Sequence, residues 1–314
     1  MKDRYFRIRP ITEYTLDALI NDYVVASTLD KFNDPYDGYL TFDMRKLKHK
    51  LDIGDNALKI VYSYPSVAYK TSTGINLLSE IRFTEMVNRL LKTSFLVASF
   101  TRKINNPTMW AHYGQGGKGF AIEYDKSTIN TIQSAAIDIM ERLSKIDPFE
   151  HNYNDYIEWK KHIVKFDKVE YTTKSKNMTD QLYNNCYYVN SCLFDKLDMN
   201  LEVSTIHRNS FYDDFLSSFI FTKDSLWRYE SESRLAIRNY TNKNDSHVIV
   251  ARNTKPTAIY IGEFTPKPYV KILCVIADRK NIPIYRMMTM PTQLTNKLSA
   301  IKLSKDEILQ LTNL

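Results

Sequence analysis

Glycine is scarce in this chain, with only eight in 314 residues, and cysteine is scarcer, with three. Cys186, Cys192 and Cys274 are odd in number and show no CxxC spacing, which argues against a zinc site or a disulfide framework and predicts reduced thiols. No apolar run approaches the roughly 20 residues that span a bilayer. The start, Met1-Lys2-Asp3-Arg4-Tyr5, lacks the apolar stretch of a secretory leader, so the expectation is a soluble, cytoplasmic protein. Also missing are GxSxG, HExxH and a basic run of the nuclear-localisation kind. A net charge of 43 − 36 = +7, spread along the sequence, is compatible with a nucleotide or nucleic-acid partner without requiring one.

What the chain does have is concentrated. Four of the eight glycines (Gly114, Gly116, Gly117, Gly119) fall between an aromatic and histidine cluster, Trp110-Ala111-His112-Tyr113, and a strand-like run, Phe120-Ala121-Ile122-Glu123-Tyr124-Asp125. Glycine permits sharp bends and close backbone approach, so this loop either faces a ligand or makes a tight turn into a buried strand. It is not a phosphate-binding P-loop: the preceding strand, the following helix and the Ser/Thr after Lys118 are all absent.

Read in order, the chain predicts a strand at Tyr5–Arg9, a short amphipathic helix capped by Thr12, and a second β-rich run at Tyr23–Ser27. A polar turn follows, Lys31-Phe32-Asn33-Asp34-Pro35-Tyr36-Asp37-Gly38, whose Asn and Asp side chains suit Asx-turns. Residues 42–92 read as mainly helical, clearest over Ile75–Leu91, with a loop at Ser63–Gly74. Ser94–Phe100 is a buried-strand candidate. The block 126–222 reads as mostly helical, with helices at Ile129–Leu143, Tyr153–Phe166, Thr179–Leu197 and Ser210–Phe221 and a short strand at Glu170-Tyr171. Strands are expected again near Leu235, Val248–Val250, Ala258–Gly262, Ile272–Val275 and Ile282–Arg286, before a terminal helix Lys305–Leu311. The fold class is α+β: one domain over 1–290, with a mixed or antiparallel central sheet, a large helical insertion at 126–222, and a tail at 291–314.

Four motifs in order resemble a known family. They are Arg7-Ile8-Arg9, Phe32-Asn33-Asp34-Pro35-Tyr36-Asp37, the Trp110–Tyr113 cluster with Gly119–Asp125, and Trp227-Arg228-Tyr229-Glu230-Ser231-Glu232-Ser233-Arg234. The chain is similar to the bacterial domain-of-unknown-function family 2971, from about residue 5 to residue 286. That family name supplies no activity.

The residues that these motifs gather are Arg9, Ser27, Asn33, Asp34, Asp37, His112, Tyr113, Lys118, Glu230, Glu232 and Arg234, and three readings are open. The opening strand–helix–strand and polar turn resemble the start of ADP-ribosyltransferases, which would imply an ADP-ribosyltransferase-like core. Glu230-Ser231-Glu232 resembles their E-x-E pattern. That resemblance implies Glu232 as the catalytic carboxylate, with Glu230 assisting and His112 and Tyr113 lining the pocket. It assigns NAD binding to Arg9, Ser27, Asn33, Asp34, Lys118 and Arg234. The acceptor would be a macromolecule, protein or nucleic acid, in a toxin or phage-defence setting. No S-T-S motif precedes the E-x-E, so Ser27 and Ser99-Phe100-Thr101 both remain candidates for the middle element. A second reading is a metal-dependent nuclease or phosphodiesterase, with Asp34, Asp37, Glu123, Asp125, Glu230 and Glu232 around Mg²⁺ and Lys118 or Arg234 on phosphate. The third is a non-catalytic sensor or binding module whose aromatics are simply core.

Overall fold

A computed structural model describes residues 3–43, 45–46, 84–85, 88–89, 91–144, 164–174, 177–180, 219–239, 246–290 and 297–313. The loop at Ser63–Gly74 and most of the helices expected at Ile75–Leu91, Tyr153–Phe166, Thr179–Leu197 and Ser210–Phe221 lie outside these residues, as do Cys186 and Cys192.

Among the described residues there are twelve strands: β1 (Arg4–Arg9), β2 (Val24–Thr28), β3 (Phe95–Thr101), β4 (Phe120–Asp125), β5 (Val164–Lys168), β6 (Glu170–Thr172), β7 (Thr222–Asp224), β8 (Glu232–Arg238), β9 (His247–Ala251), β10 (Ala258–Ile261), β11 (Ile284–Thr289) and β12 (Leu298–Lys302). Ten of them form one sheet, antiparallel except where β10 meets β11; β6 and β7 make a separate parallel pair. The class is α+β with a mixed, mostly antiparallel central sheet.

The sheet forks at β3. One edge of β3 pairs along its whole length with β8, which in turn pairs with β5. The other edge is shared: β2 meets it only at Leu96 and Val97, and β1 only at Thr101. Between those two contacts β1 and β2 part, each continuing to an outer neighbour, β4 and β9 respectively.

Apolar residues fill both faces. On one, Ile129, Ile132, Ala136 and Met140 form a buried stripe along the helix Lys126–Ser144, the spacing of a helix face on a sheet. The helix Lys267–Lys280 packs there through Val270, Leu273, Cys274 and Ala277. On the other face, Met109 and Trp110 from the helix Pro107–Tyr113 pack against Phe6, Ile8, Ala121 and Tyr260. Trp110 is fully buried and its indole N–H donates to Ile104 O at 2.7 Å. Trp110→Ala is expected to cost about 3–5 kcal/mol in denaturant unfolding, combining lost burial with a cavity and an orphaned carbonyl.

Two expectations are corrected. Ile272–Val275 is helical: four apolar residues in a row look like a strand, but the buried positions around them recur at helical spacing, with a proline in the first turn. Val164–Phe166, assigned to a helix, begins β5 and joins the central sheet, so the block 126–222 is not purely an inserted helical element. The segment before the glycine loop is a helix, started by Asn106 accepting from Thr108 N–H and by Pro107 at its first position, and ended at Gly114. β12 was not foreseen.

Candidate functional site

The fork between β1 and β2 opens into a cleft of about 500 Å³. Its walls include Arg7 and Arg9 of β1, Val25 and Ser27 of β2, Ser99 and Thr101 of β3, Asn33, His112, Tyr113, Lys223, Glu230 and Glu232. Of the residues selected from sequence, Arg9, Ser27, Asn33, His112, Tyr113, Glu230 and Glu232 therefore meet in one place.

The two glutamates arrive by a route that strand alternation does not describe. Ser225–Glu230 is a 3-10 helix, Ser231 takes a left-handed conformation (φ 47°), and only Glu232 begins β8. Three contacts clamp this corner to the end of β3 and the loop beyond it. Thr101 Oγ1 donates to Glu230 O at 2.6 Å, Asn106 Nδ2 to Tyr229 O at 2.9 Å, and Arg102 N–H to Ser231 O at 3.1 Å. The turn, not the pleat, brings both carboxylates to the cleft.

Beneath them lies a buried ionic cluster. Arg234 is fully buried and uses all five N–H donors: Nε and Nη2 on Glu232, Nη1 and Nη2 on Asp37, and Nη1 on Ile220 O. Lys223 Nζ sits 2.7 Å from Glu230 Oε2 and within 4 Å of Asp37 and Glu232. Two cations thus face three carboxylates. Burial pushes Glu232 up, but Arg234 and Lys223 outweigh it and hold its carboxyl at about 2. Glu230 goes the other way: burial first, then the charge of Glu232, raise it, against a smaller pull from Lys223. Tyr113 Oη donates to Glu230 Oε1, and burial followed by that carboxylate pushes the phenol well above its ordinary value. Asn33 Nδ2 donates to Tyr113 Oη at 3.3 Å, and His112 Nδ1 lies 3.0 Å from Tyr229 Oη. The two carboxylates are thus shifted in opposite directions, Glu232 down and Glu230 up.

The cleft is also lined by two arginines, Arg7 and Arg9, without an ion-pair partner among the described residues. Arg7 bridges the fork, donating from Nη2 to Val25 O at 2.9 Å, with its guanidinium 5.4 Å from the Phe100 ring centroid. Its Nε is buried without a hydrogen-bond partner. Burial lowers the pKa of Arg9, with Tyr124 beside it. Uncompensated guanidinium groups in a cleft are suited to an anion, above all a phosphate.

Three assignments from sequence need correcting. Arg234 does not line the cleft; every donor it has is spent internally, so it holds the site together and touches no ligand there. Asp34 is buried outside the cleft and accepts from Tyr36 N–H in an Asx-turn. Lys118 is exposed on a loop that turns toward β10: Phe264 N–H donates to Gly117 O, and Gly262 N–H to Gly119 O. The glycines serve that crossing. A Cβ on Gly119 would lie 2.2 Å from Arg9 O, so the bare backbone is what lets the loop abut the end of β1.

Of the carboxylates considered for a metal, Asp37, Glu230 and Glu232 do come together, but around the buried Arg234 and Lys223, which they already share. Glu123 is held by Tyr260 and Thr257, Asp125 caps the helix Lys126–Ser144, and among the described residues no group of three or more ligating side chains is placed to hold a metal.

Sequence reasoning missed Lys223 and undervalued Arg7. Lys223 stands in Thr222-Lys223-Asp224, which carries no motif. Its one signal is arithmetic: Asp37, Glu230 and Glu232 are three carboxylates, and Arg234 alone leaves them short of positive charge.

Residues 109–235 match the family model DUF2971, described as a protein of unknown function. This segment belongs to the DUF2971 family. The match takes in Tyr113, Lys223, Glu230, Glu232 and Arg234, and leaves the cleft residues Arg7, Arg9, Ser27 and Asn33 outside it. No curated protein and no solved structure matches the chain. Among the described residues no helix is long and apolar enough to cross a membrane.

Proposed function

We propose that this DUF2971 protein is an ADP-ribosyltransferase-like enzyme that uses NAD to modify a macromolecule, either protein or nucleic acid. The observation that carries the reading is that both kinds of charge line one cleft: Arg7 and Arg9 without counter-ions among the described residues, and Glu230 and Glu232. NAD likewise carries both, an anionic pyrophosphate linked to a cationic nicotinamide riboside. The cleft's size is within the range of small-molecule sites.

Each wall then has a task. Arg9, with Arg7 beside it, holds the pyrophosphate, while Ser27 and Asn33 offer hydrogen bonds along the walls. Glu232 presents fixed negative charge to a ribosyl carbon that turns cationic as nicotinamide departs with the bonding electron pair. Glu230, its pKa raised by burial and by Glu232, accepts the proton of the attacking hydroxyl or amine as the new bond to that carbon forms. Tyr113 aims Glu230 through its hydrogen bond, and His112, exposed at the mouth, lies where the acceptor must approach.

Binding tests this directly. Calorimetry with NAD and with ADP-ribose is expected to show both binding, and Arg9→Ala is expected to weaken them about tenfold or more through a lost charge-assisted contact. If neither compound binds the wild-type protein, the reading fails.

A further inference from the structure

One charged group in the cleft has no part in the chemistry above. Lys223 comes from β7, is 5% exposed, and lies under the Trp227 ring at 4.6 Å from its centroid. Its ammonium contacts Glu230 Oε2 at 2.7 Å, Asp37 Oδ2 at 3.4 Å and Glu232 Oε2 at 3.6 Å. The contacts are unequal in consequence. Asp37 and Glu232 already share the Arg234 guanidinium. Glu230 has no other cation within ion-pair distance among the described residues, and its second oxygen receives only the neutral hydroxyl of Tyr113.

We propose that Lys223 is a positioning residue of this site: it acts through Glu230, keeping that carboxylate ionised and turned into the cleft. The kinetic side of this rests on the transferase reading; the pairing itself does not. Among the described residues, the charged and titratable groups that act on Glu230 are Lys223 from β7, Tyr113 from the helix Pro107–Tyr113, Glu232 from β8, Tyr171 from β6 and its neighbour Tyr229, while Asp37 and Arg234 are joined to it through Lys223 and Glu232. Glu232 and burial favour the protonated acid, and Lys223 is the opposing charge. Without the ammonium, burial and Glu232 would act on Glu230 with no opposing cation in contact, favouring the protonated acid, which cannot accept a proton.

The experiment compares thermal unfolding of wild type, Lys223→Met, Lys223→Arg, Glu230→Gln and the double variant Lys223→Met/Glu230→Gln across about pH 5.5 to 8.5. It needs no NAD. A group whose folded pKa lies above its unfolded one gives stability that is lost as pH rises through the folded value. The loss from Lys223→Met should therefore be large at the alkaline end and shrink toward acid, as Glu230 takes up a proton. At least half of it should vanish in the Glu230→Gln background, and Lys223→Arg should follow wild type. If Lys223→Met does not fold, the double variant, which removes one charge of each sign, is still expected to fold. Failure of the double variant as well overturns the proposal.

A Lys223→Met loss of equal size at every pH, unchanged by Glu230→Gln, would make the lysine a general structural cation and also overturn it. In NAD turnover, the limb where activity rises with pH should move up by about one pH unit or more in Lys223→Met and stay in place in Lys223→Arg. Coupling of Lys223 to Glu230 in a wild-type protein that never consumes NAD would sink the transferase reading while upholding the pairing.

Discussion

Arg234→Leu is expected to destabilise the protein by about 3–5 kcal/mol, a large share of the stability of a typical domain. The substitution leaves Asp37 and Glu232 buried opposite a single ammonium and strands Ile220 O without its donor. Denaturant unfolding should show a lower midpoint with an unchanged slope. The pH dependence follows from Glu232. Its folded pKa of about 2 is below its ordinary value, so its stabilisation is present above the unfolded pKa and is lost as pH falls toward about 2. Arg234→Leu should flatten that acid limb, because the guanidinium is the main charge holding the carboxylate ionised. An Arg234→Leu protein as stable as wild type would mean that the ionic cluster does not hold the corner of β8 in place.

Glu230→Gln should have the largest effect on turnover with the least on folding. The amide keeps the shape of the side chain and can still accept from Tyr113 Oη and hydrogen-bond near Lys223, but it cannot take a proton. A loss of about a hundredfold or more in label transfer is expected, with NAD affinity changed little, since in the proposed binding mode Arg9, not Glu230, holds the phosphates. Circular dichroism and thermal unfolding establish that the variant is folded. Transfer at the wild-type rate by folded Glu230→Gln would remove Glu230 from the chemistry.

Much of the fold could be read from local pattern. Thr12 does cap the helix Glu13–Ile20, in a capping box with Thr15, and β1, β3 and β4 fall where β-branched and aromatic residues cluster. The stripe on the helix Lys126–Ser144 was visible in its period. What failed was short or ambiguous: Ile272–Val275 is too brief a run for period to separate strand from helix.

The site was legible in part, for a related reason. Motifs say which polar residues cluster along the chain, but not which way each side chain faces. Glu230, Glu232, His112 and Tyr113 line one cleft. Arg234 belongs to the same motif and faces inward, where its donors are consumed. Lys118 belongs to the glycine loop and faces away, because that loop packs on β10. The fork itself depends on registers between segments about seventy residues apart, Ser27 with Val97 and Phe6 with Thr101 at ninety-five, and no local pattern encodes those. Lys223 was invisible for lack of any motif, although three carboxylates against one arginine already called for it.

The most direct test of the account is incubation of the wild-type protein with NAD labelled in its adenylate half and a cell lysate, measuring free nicotinamide and label on macromolecules. The account predicts that both appear together, and that both are lost in Glu232→Ala. Intact NAD and unlabelled macromolecules after incubation with folded wild-type protein would contradict it.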